Sequence, residues 1–311
     1  MTNDRRLTKN ERRTQAREAA KAQQQKRQRD ERLRKGLTIG GILVGAIAIV
    51  AIVTLVIVNA IRPPGPGPEN MASDGIVVGQ GYVAETTPAL AADEAPVATD
   101  ERDDVVQIVI YQDYLCPYCG LFETTNGEAI DQLISDGVAT VEYHPVSFLD
   151  RLSLGEEYST RSANAAACVA EASPDSFYAW NTLMYENQPG ENTEGLTDDE
   201  IIGLAEQAGV DTNAAFTECV ESVQFESWVQ RATQDAQLEP GPSGEDGVQI
   251  TGTPTVLVNG EQYRGQPGDG ASFTAFVQAA LGQVTGETAT ESPAPSESPA
   301  PSESTPAPSE G

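Results

Sequence analysis

The sequence predicts an α/β fold interrupted by an all-helical insertion and preceded by one transmembrane helix. Three observations lead there. From Leu37 to Ile61 the chain runs 25 residues without a charge. Beyond it the hydrophobic patterns read strand, helix, strand, then a long helical stretch over residues 155–238, then two strands and a helix. Finally, two cysteines, Cys116 and Cys119, stand three residues apart where the first apolar strand gives way to a helix.

Charge sets the orientation of the membrane segment. Residues 1–35 hold 13 of the 19 Lys+Arg and 5 of the 47 Asp+Glu, a balance of +8, so the remainder carries -36 within a net -28. A helix of 25 residues at about 1.5 Å per residue crosses a hydrocarbon core of about 30 Å with some tilt. The basic flank lies N-terminal, so residues 1–36 are expected in the cytoplasm and all that follows Arg62 outside it. A cleaved signal peptide would have a shorter apolar region behind a shorter basic stretch. Gly41 and Gly45 form one G-x-x-x-G pair on the span, a weak signal of helix pairing. The acidic remainder repels phosphate, which excludes nucleic acid as a partner.

Residues 62–74, with four prolines and two glycines by Gly67 and Pro68, read as a stiff spacer. Gly75–Gly81 reads as a short strand bounded by glycines, and residues 84–104 as a loop. Val105–Tyr111 (VVQIVIY) is the continuous apolar run of a strand buried on both faces. A helix is expected over Cys116–Ser135 and a strand over Val138–Val146. Helical spacing then covers 158–171, 175–187, 198–208, 212–220 and 222–237, with Ser173-Pro174, Asp198 and Asp211 as starts. Trp180, Phe177 and Tyr178 fall at core-like spacing there. Thr255–Val258 is a strand, Asn259-Gly260 a hairpin turn, Gln262–Arg264 its partner, and 271–281 the last helix. Residues 285–311 repeat P-A-P-S-E three times with no aromatic or basic residue, too little to bury a core. The domains expected are therefore 75–154 with 239–284, and the insertion at 155–238.

A thiol at a helix N-terminus faces unpaired N–H groups and the positive end of the dipole, both of which favour thiolate. Pro117 loses no hydrogen bond at the first helical position. Cys119, one turn on, is placed to resolve a mixed disulfide formed at Cys116. The same C-x-x-C spacing serves as half a zinc site, but Cys168 and Cys219 are isolated and His144 is the only histidine, so no metal is assigned. An inert 116–119 disulfide remains open. His144, at the end of the second strand, reads as a surface or packing residue.

With Y-Q-D-Y-L-C-P-Y-C at 111–119 and T-G-T-P-T at 251–255, residues 75–284 resemble the thioredoxin-fold, DsbA-like thiol–disulfide oxidoreductases. The resemblance implies a thioredoxin fold carrying the helical insertion. It also implies a redox-active Cys116/Cys119 pair with Pro117 and Tyr118 between, and a cis Thr253-Pro254 bond beside it that presents backbone to an extended substrate. No cofactor is implied. An oxidising compartment and an even cysteine count suggest a structural Cys168–Cys219 disulfide, with an electron relay as the alternative. Two departures stand out. Many relatives carry a buried carboxylate six residues before the first cysteine, where this chain has Ile110, leaving water or Asp113 to assist. Tyr118 replaces the histidine of the strongest oxidases. Asp113 and Glu123 are expected to oppose thiolate formation, so Cys116 should be acidic without being extreme.

The expected activity is formation of disulfides in exported cysteine-containing proteins by a membrane-anchored, monomeric oxidase, reoxidised by a quinone-coupled membrane partner. An isomerase or reductase, including one serving cytochrome maturation, is the alternative on the same fold. Dimeric isomerases of this kind use an extra N-terminal domain, for which too few residues separate Ile61 from the first core strand. A non-enzymatic binding or chaperone module with a vestigial dithiol is the third reading.

Overall fold

The computed structural model describes Lys21, Lys26 and Arg27, residues 65–238 and residues 248–286. The chain divides into two compact units, Met1–Pro63 and Pro64–Gly311. In the first, the three described residues are helical and exposed. The expected membrane span at 37–61 and the tail beyond residue 286 lie outside the described residues. Among the described residues, no helix is long and apolar enough to cross a membrane.

The second unit is built on a mixed sheet that, among the described residues, has five strands in the order β1-β3-β2-β4-β5. Its central strand β2 (Val106–Gln112) is the apolar run of the sequence. It pairs in parallel with β3 (Ala139–Pro145) through helix α1 (Pro117–Ser135), and antiparallel with β4 (Thr255–Val258). A parallel pair needs such a crossover helix. β1 (Ile76–Val78) extends the sheet antiparallel beside β3, and β5 (Glu261–Gln262) beside β4. The β4–β5 turn holds Asn259 at φ 48° and Gly260 at φ 80°, the left-handed pair a two-residue hairpin requires. The register sets Tyr111 opposite Thr255. That places the segment entering β4 next to the segment leaving β2, which brings Thr253-Pro254 to Cys116.

Side chains alternate across the strands, so each face has its own core. On one face Ile108, Ile110, Val141, Tyr143, Val256 and Val258 pack with Phe122, Ile130 and Ile134 of α1 and with Phe273 and Val277 of the last helix, α7 (Gly270–Thr285). On the other, Val109, Tyr111 and Leu257 meet Val146, Ala236 and Ile250. This second face also carries Glu142 and His144. Both are buried, joined Nε2 to Oε1 at 3.0 Å, and His144 stacks on Tyr111 with ring centroids 4.4 Å apart. The strand-end histidine is thus inside the structure.

Within the expected spacer, residues 67–73 are packed on the folded unit. Asn70 donates to Ala170 O at 2.8 Å, the Ser73 hydroxyl donates to Glu142 at 2.5 Å, and Trp228 Nε1 donates to Asp74 at 2.9 Å. Proline- and glycine-rich composition reads the same whether the chain is free or docked. The contacts that decide it come from residues about 70 to 150 positions away.

The insertion comprises α2 (Tyr158–Ala172), α3 (Phe177–Glu186), α4 (Asp198–Gln207), α5 (Ala214–Glu221) and α6 (Glu226–Leu238). α2 is its axis: Ala163, Ala165, Ala166, Ala167 and Ala170 are all buried, and side chains this small let the neighbouring helices approach closely. Trp180 and Phe177 are fully buried, while Tyr178 is half-buried against Tyr82. α2 and α4 start where expected, while α3, α5 and α6 start two to four residues later. α4 is capped by Thr197 in a reciprocal box with Glu200, α5 by Asn213, and Pro174–Ser176 forms a 3-10 turn before α3. Cys168 of α2 and Cys219 of α5 form a disulfide with Cα atoms 6.0 Å apart.

That bond closes a loop of 51 residues, which in the chain-entropy account contributes roughly 4 kcal/mol. Replacing both cysteines by serine is expected to lower stability in urea by about that much. A loss under about 1 kcal/mol would mean that helix packing alone holds the insertion.

Candidate active site

α1 begins at the chemistry. Cys116 is its N-cap and Pro117 its first residue; the Cys116 carbonyl accepts Cys119 N–H at 3.0 Å and Gly120 N–H at 3.2 Å. Both cysteines are reduced and buried, with Cys116 4% and Cys119 3% exposed. Pro117 is exposed and Tyr118 is 62% exposed, so the two residues between the thiols form the outer surface of the pair. Leu121 continues that surface.

The register of β2 against β4 delivers Thr253 from across the sheet. In the thiol form Cys116 Sγ–H donates to the Thr253 carbonyl oxygen at 3.2 Å, and the Thr253-Pro254 bond is cis. The candidate residues Cys116, Pro117, Tyr118, Cys119, Thr253 and Pro254 are thus gathered in one place, while Cys168 and Cys219 form their own bond in the insertion.

The two thiols have opposite electrostatics. Cys116 is pulled down to about 6, first by the Cys119 thiol donating to it, then by the Thr253 side chain and the N–H groups of Cys119 and Tyr118, against burial. Cys119 is pushed well above the ordinary thiol value, first by burial and then by its bond to Cys116 and the thiolate charge there. One sulfur therefore holds the negative charge and its partner the proton.

Asp113 organises the approach. Its carboxyl accepts from Leu115 N–H at 2.9 Å, Ser159 hydroxyl at 2.8 Å, Phe148 N–H at 2.8 Å and Leu149 N–H at 3.0 Å. Burial nevertheless raises it to about 7, outweighing those donors. Glu123, four residues after Cys119 on the same helix face, is also raised to about 7 by burial. It borders a cavity of about 370 Å³ with Thr124, Tyr178, Thr182 and Tyr185. Asp113 does repel the Cys116 thiolate, but burial raises both carboxyls to about 7, which weakens that opposition near neutral pH. Ile110 lies in the apolar core, so Glu123 is the buried carboxyl on the helix that carries the pair. The sequence shows its position but not its desolvation.

Sequence reasoning passed over Gln188, which follows α3. Its Nε2 donates to Cys116 O at 2.8 Å and to Tyr114 O at 3.0 Å. The contact spans 72 residues, and no local pattern marks it.

Folding takes up a proton at Glu123, because its folded value of about 7 exceeds the ordinary 4.5. The stability associated with this group is therefore present at low pH and is lost as pH rises from about 4.5 to about 7. Glu123→Gln should match wild type in urea near the low end and exceed it by a widening margin toward the high end. The measurement is made on the oxidised protein, so that the cysteines do not titrate. A constant offset across the range would contradict this account.

The comparisons with known proteins agree with the geometry. The family model described as Thioredoxin matches residues 92–279. Serine/threonine-protein kinase PknE of Mycobacterium tuberculosis is 34% identical over 119 residues, covering 37% of this chain and 21% of the kinase. The chain thus spans about a fifth of the length of that relative. Disulfide bond formation protein D of Bacillus subtilis is 26% identical over 172 residues, covering 55% of this chain and 67% of its own. Among solved structures, oxidised DsbA of M. tuberculosis superposes with a TM-score of 0.50 at 25% identity, over 68% of this chain and 97% of that one. Reduced DsbG of M. tuberculosis gives 0.50 at 26%, over 70% and 94%. The chain belongs to the thioredoxin family, and its structural neighbours are DsbA-type thiol–disulfide oxidoreductases.

Proposed function

We propose that this chain is a dithiol oxidase that forms disulfides in exported proteins. In this reading residues 37–61 anchor it in the cell membrane, the basic arm is cytoplasmic, and the folded unit works outside as a monomer. The observation that carries the proposal is the unequal pair: an acidic Cys116 at a helix N-terminus beside a buried, strongly basic Cys119.

The cycle starts with Cys116 and Cys119 oxidised. A substrate thiolate attacks Cys116 Sγ, the S–S bond breaks, and Cys119 leaves with the electron pair. The high proton affinity of Cys119 drives its protonation. The second substrate thiolate then attacks the substrate sulfur of the mixed disulfide, and Cys116 departs as thiolate. A thiol of low pKa is the better leaving group, so release favours oxidised product and a reduced Cys116/Cys119 pair. The Thr253 backbone holds the substrate chain alongside by strand addition. Two electrons then remain on the pair, and a quinone-coupled membrane protein removes them to regenerate the disulfide.

An isomerase or reductase would use the same dithiol. The packing of residues 67–73 on the folded unit supports the oxidase, since this segment is part of that unit and is not available as a separate dimerisation module.

In glutathione buffers the Cys116/Cys119 couple is expected toward the oxidising end, near about -120 mV, whereas a value near about -270 mV would make the protein a reductant. Cys119→Ala is expected to accumulate mixed disulfides through Cys116 with exported proteins, seen as non-reducing gel shifts. A binding module with a vestigial dithiol would trap none.

A further inference from the structure

Helix α3 ends at Glu186, and Gln188 reaches from the insertion to the reactive loop. One carboxamide nitrogen serves two carbonyls there, those of Cys116 and Tyr114. The peptide between Cys116 and Pro117 has no N–H, so its orientation is held through its oxygen alone. That oxygen already receives the first two bonds of α1, and Gln188 adds a third from outside the helix.

Gly120 completes the arrangement. Its backbone is helical, where glycine is unfavourable relative to alanine. A β-carbon at this position would overlap the Gln188 carboxamide. The glycine is thus the notch in α1 through which Gln188 approaches.

We propose that Gln188 is a positioning residue for Cys116, and that the helical insertion sets the acidity of the reactive thiol through it. This rests on the reading of Cys116 as the exchanging thiol. Thiolate at Cys116 is favoured by the N–H groups of Tyr118 and Cys119, and these aim at Sγ only while the peptides from 114 to 117 hold their planes. Gln188 fixes the Tyr114 and Cys116 carbonyls and so those planes. The titratable groups that couple to the pair, Asp113, Tyr114 and Tyr185, and Glu123 one turn along α1, keep their identity in the variants at residues 188 and 120.

The test is the pH dependence of Cys116 alkylation by iodoacetamide in the reduced full-length protein, compared among wild type, Gln188→Ala, Gly120→Ala and the double variant. Each single change is expected to move the midpoint upward and slow alkylation near pH 6 by about three- to tenfold, the loss associated with one hydrogen bond. The double variant should lose no more than either single one, because both remove the same contact. In the Gln188→Ala background, Gly120→Ala should leave the melting temperature unchanged or raise it, since the notch is then empty. Gln188→Glu keeps the shape but exchanges the donor for a carboxylate, and should give the largest upward shift. Lowered melting temperatures with unchanged midpoints would reduce Gln188 to a brace and overturn the proposal, as would fully additive single effects. A wild-type protein that exchanges no disulfides would sink the oxidase reading, while the alkylation comparison would still judge Gln188.

Discussion

Asp113 accepts hydrogen bonds from four donors that belong to three stretches of chain: the reactive loop at Leu115, the connection after β3 at Phe148 and Leu149, and the start of the insertion at Ser159. The Leu115 and Ser159 donors are buried and those of Phe148 and Leu149 part-buried, and such groups are costly to strand without a partner. The loop that presents Cys116, the strand connection beside it and the first insertion helix are therefore fastened at one carboxyl. From the opposite side Gln188 fastens the same loop to the end of α3. Beside their apolar contacts, the thioredoxin-like part and the insertion are joined by polar bonds at these two residues, and Cys116 lies between them in the chain.

The division of labour between the cysteines follows from where α1 begins. A helix N-terminus offers N–H groups to the residue that caps it and none to a residue one turn inside. Cys116 takes the first position and Cys119 the second, so one is acidic and the other retains its proton in the apolar core. Pro117 and Tyr118 are exposed, whereas Cys116 and Cys119 are buried to almost the same extent, 4% and 3% exposed. What distinguishes the two sulfurs is therefore their charge.

Much of this was legible in the sequence because it rests on local pattern. The apolar run of β2, the thiols at the strand-to-helix junction, the Asn259-Gly260 turn and the helical spacing of the insertion each depend on a few neighbouring residues. What was not legible depends on distance along the chain. Residues 67–73 look like a free spacer until Ala170, Glu142 and Trp228 are placed around them. Glu123 and Asp113 look like surface acids until the insertion covers them. Gln188 sits in an undistinguished loop, and Gly120 reads as a weak spot in a helix; only their contact explains both. The start of α5 shifted for a smaller reason: the sequence offers Asp211, Thr212 and Asn213 in a row as caps, and the hydrogen bonds of Asn213 choose among them.

The Cys168–Cys219 bond lies in the insertion, apart from the reactive pair. On the proposed oxidase reading, the protein carries in its own insertion the kind of bond it would make for others. New chains would then be clients of the chemistry they later perform, and in a cell that has none the first molecules would need an outside oxidant.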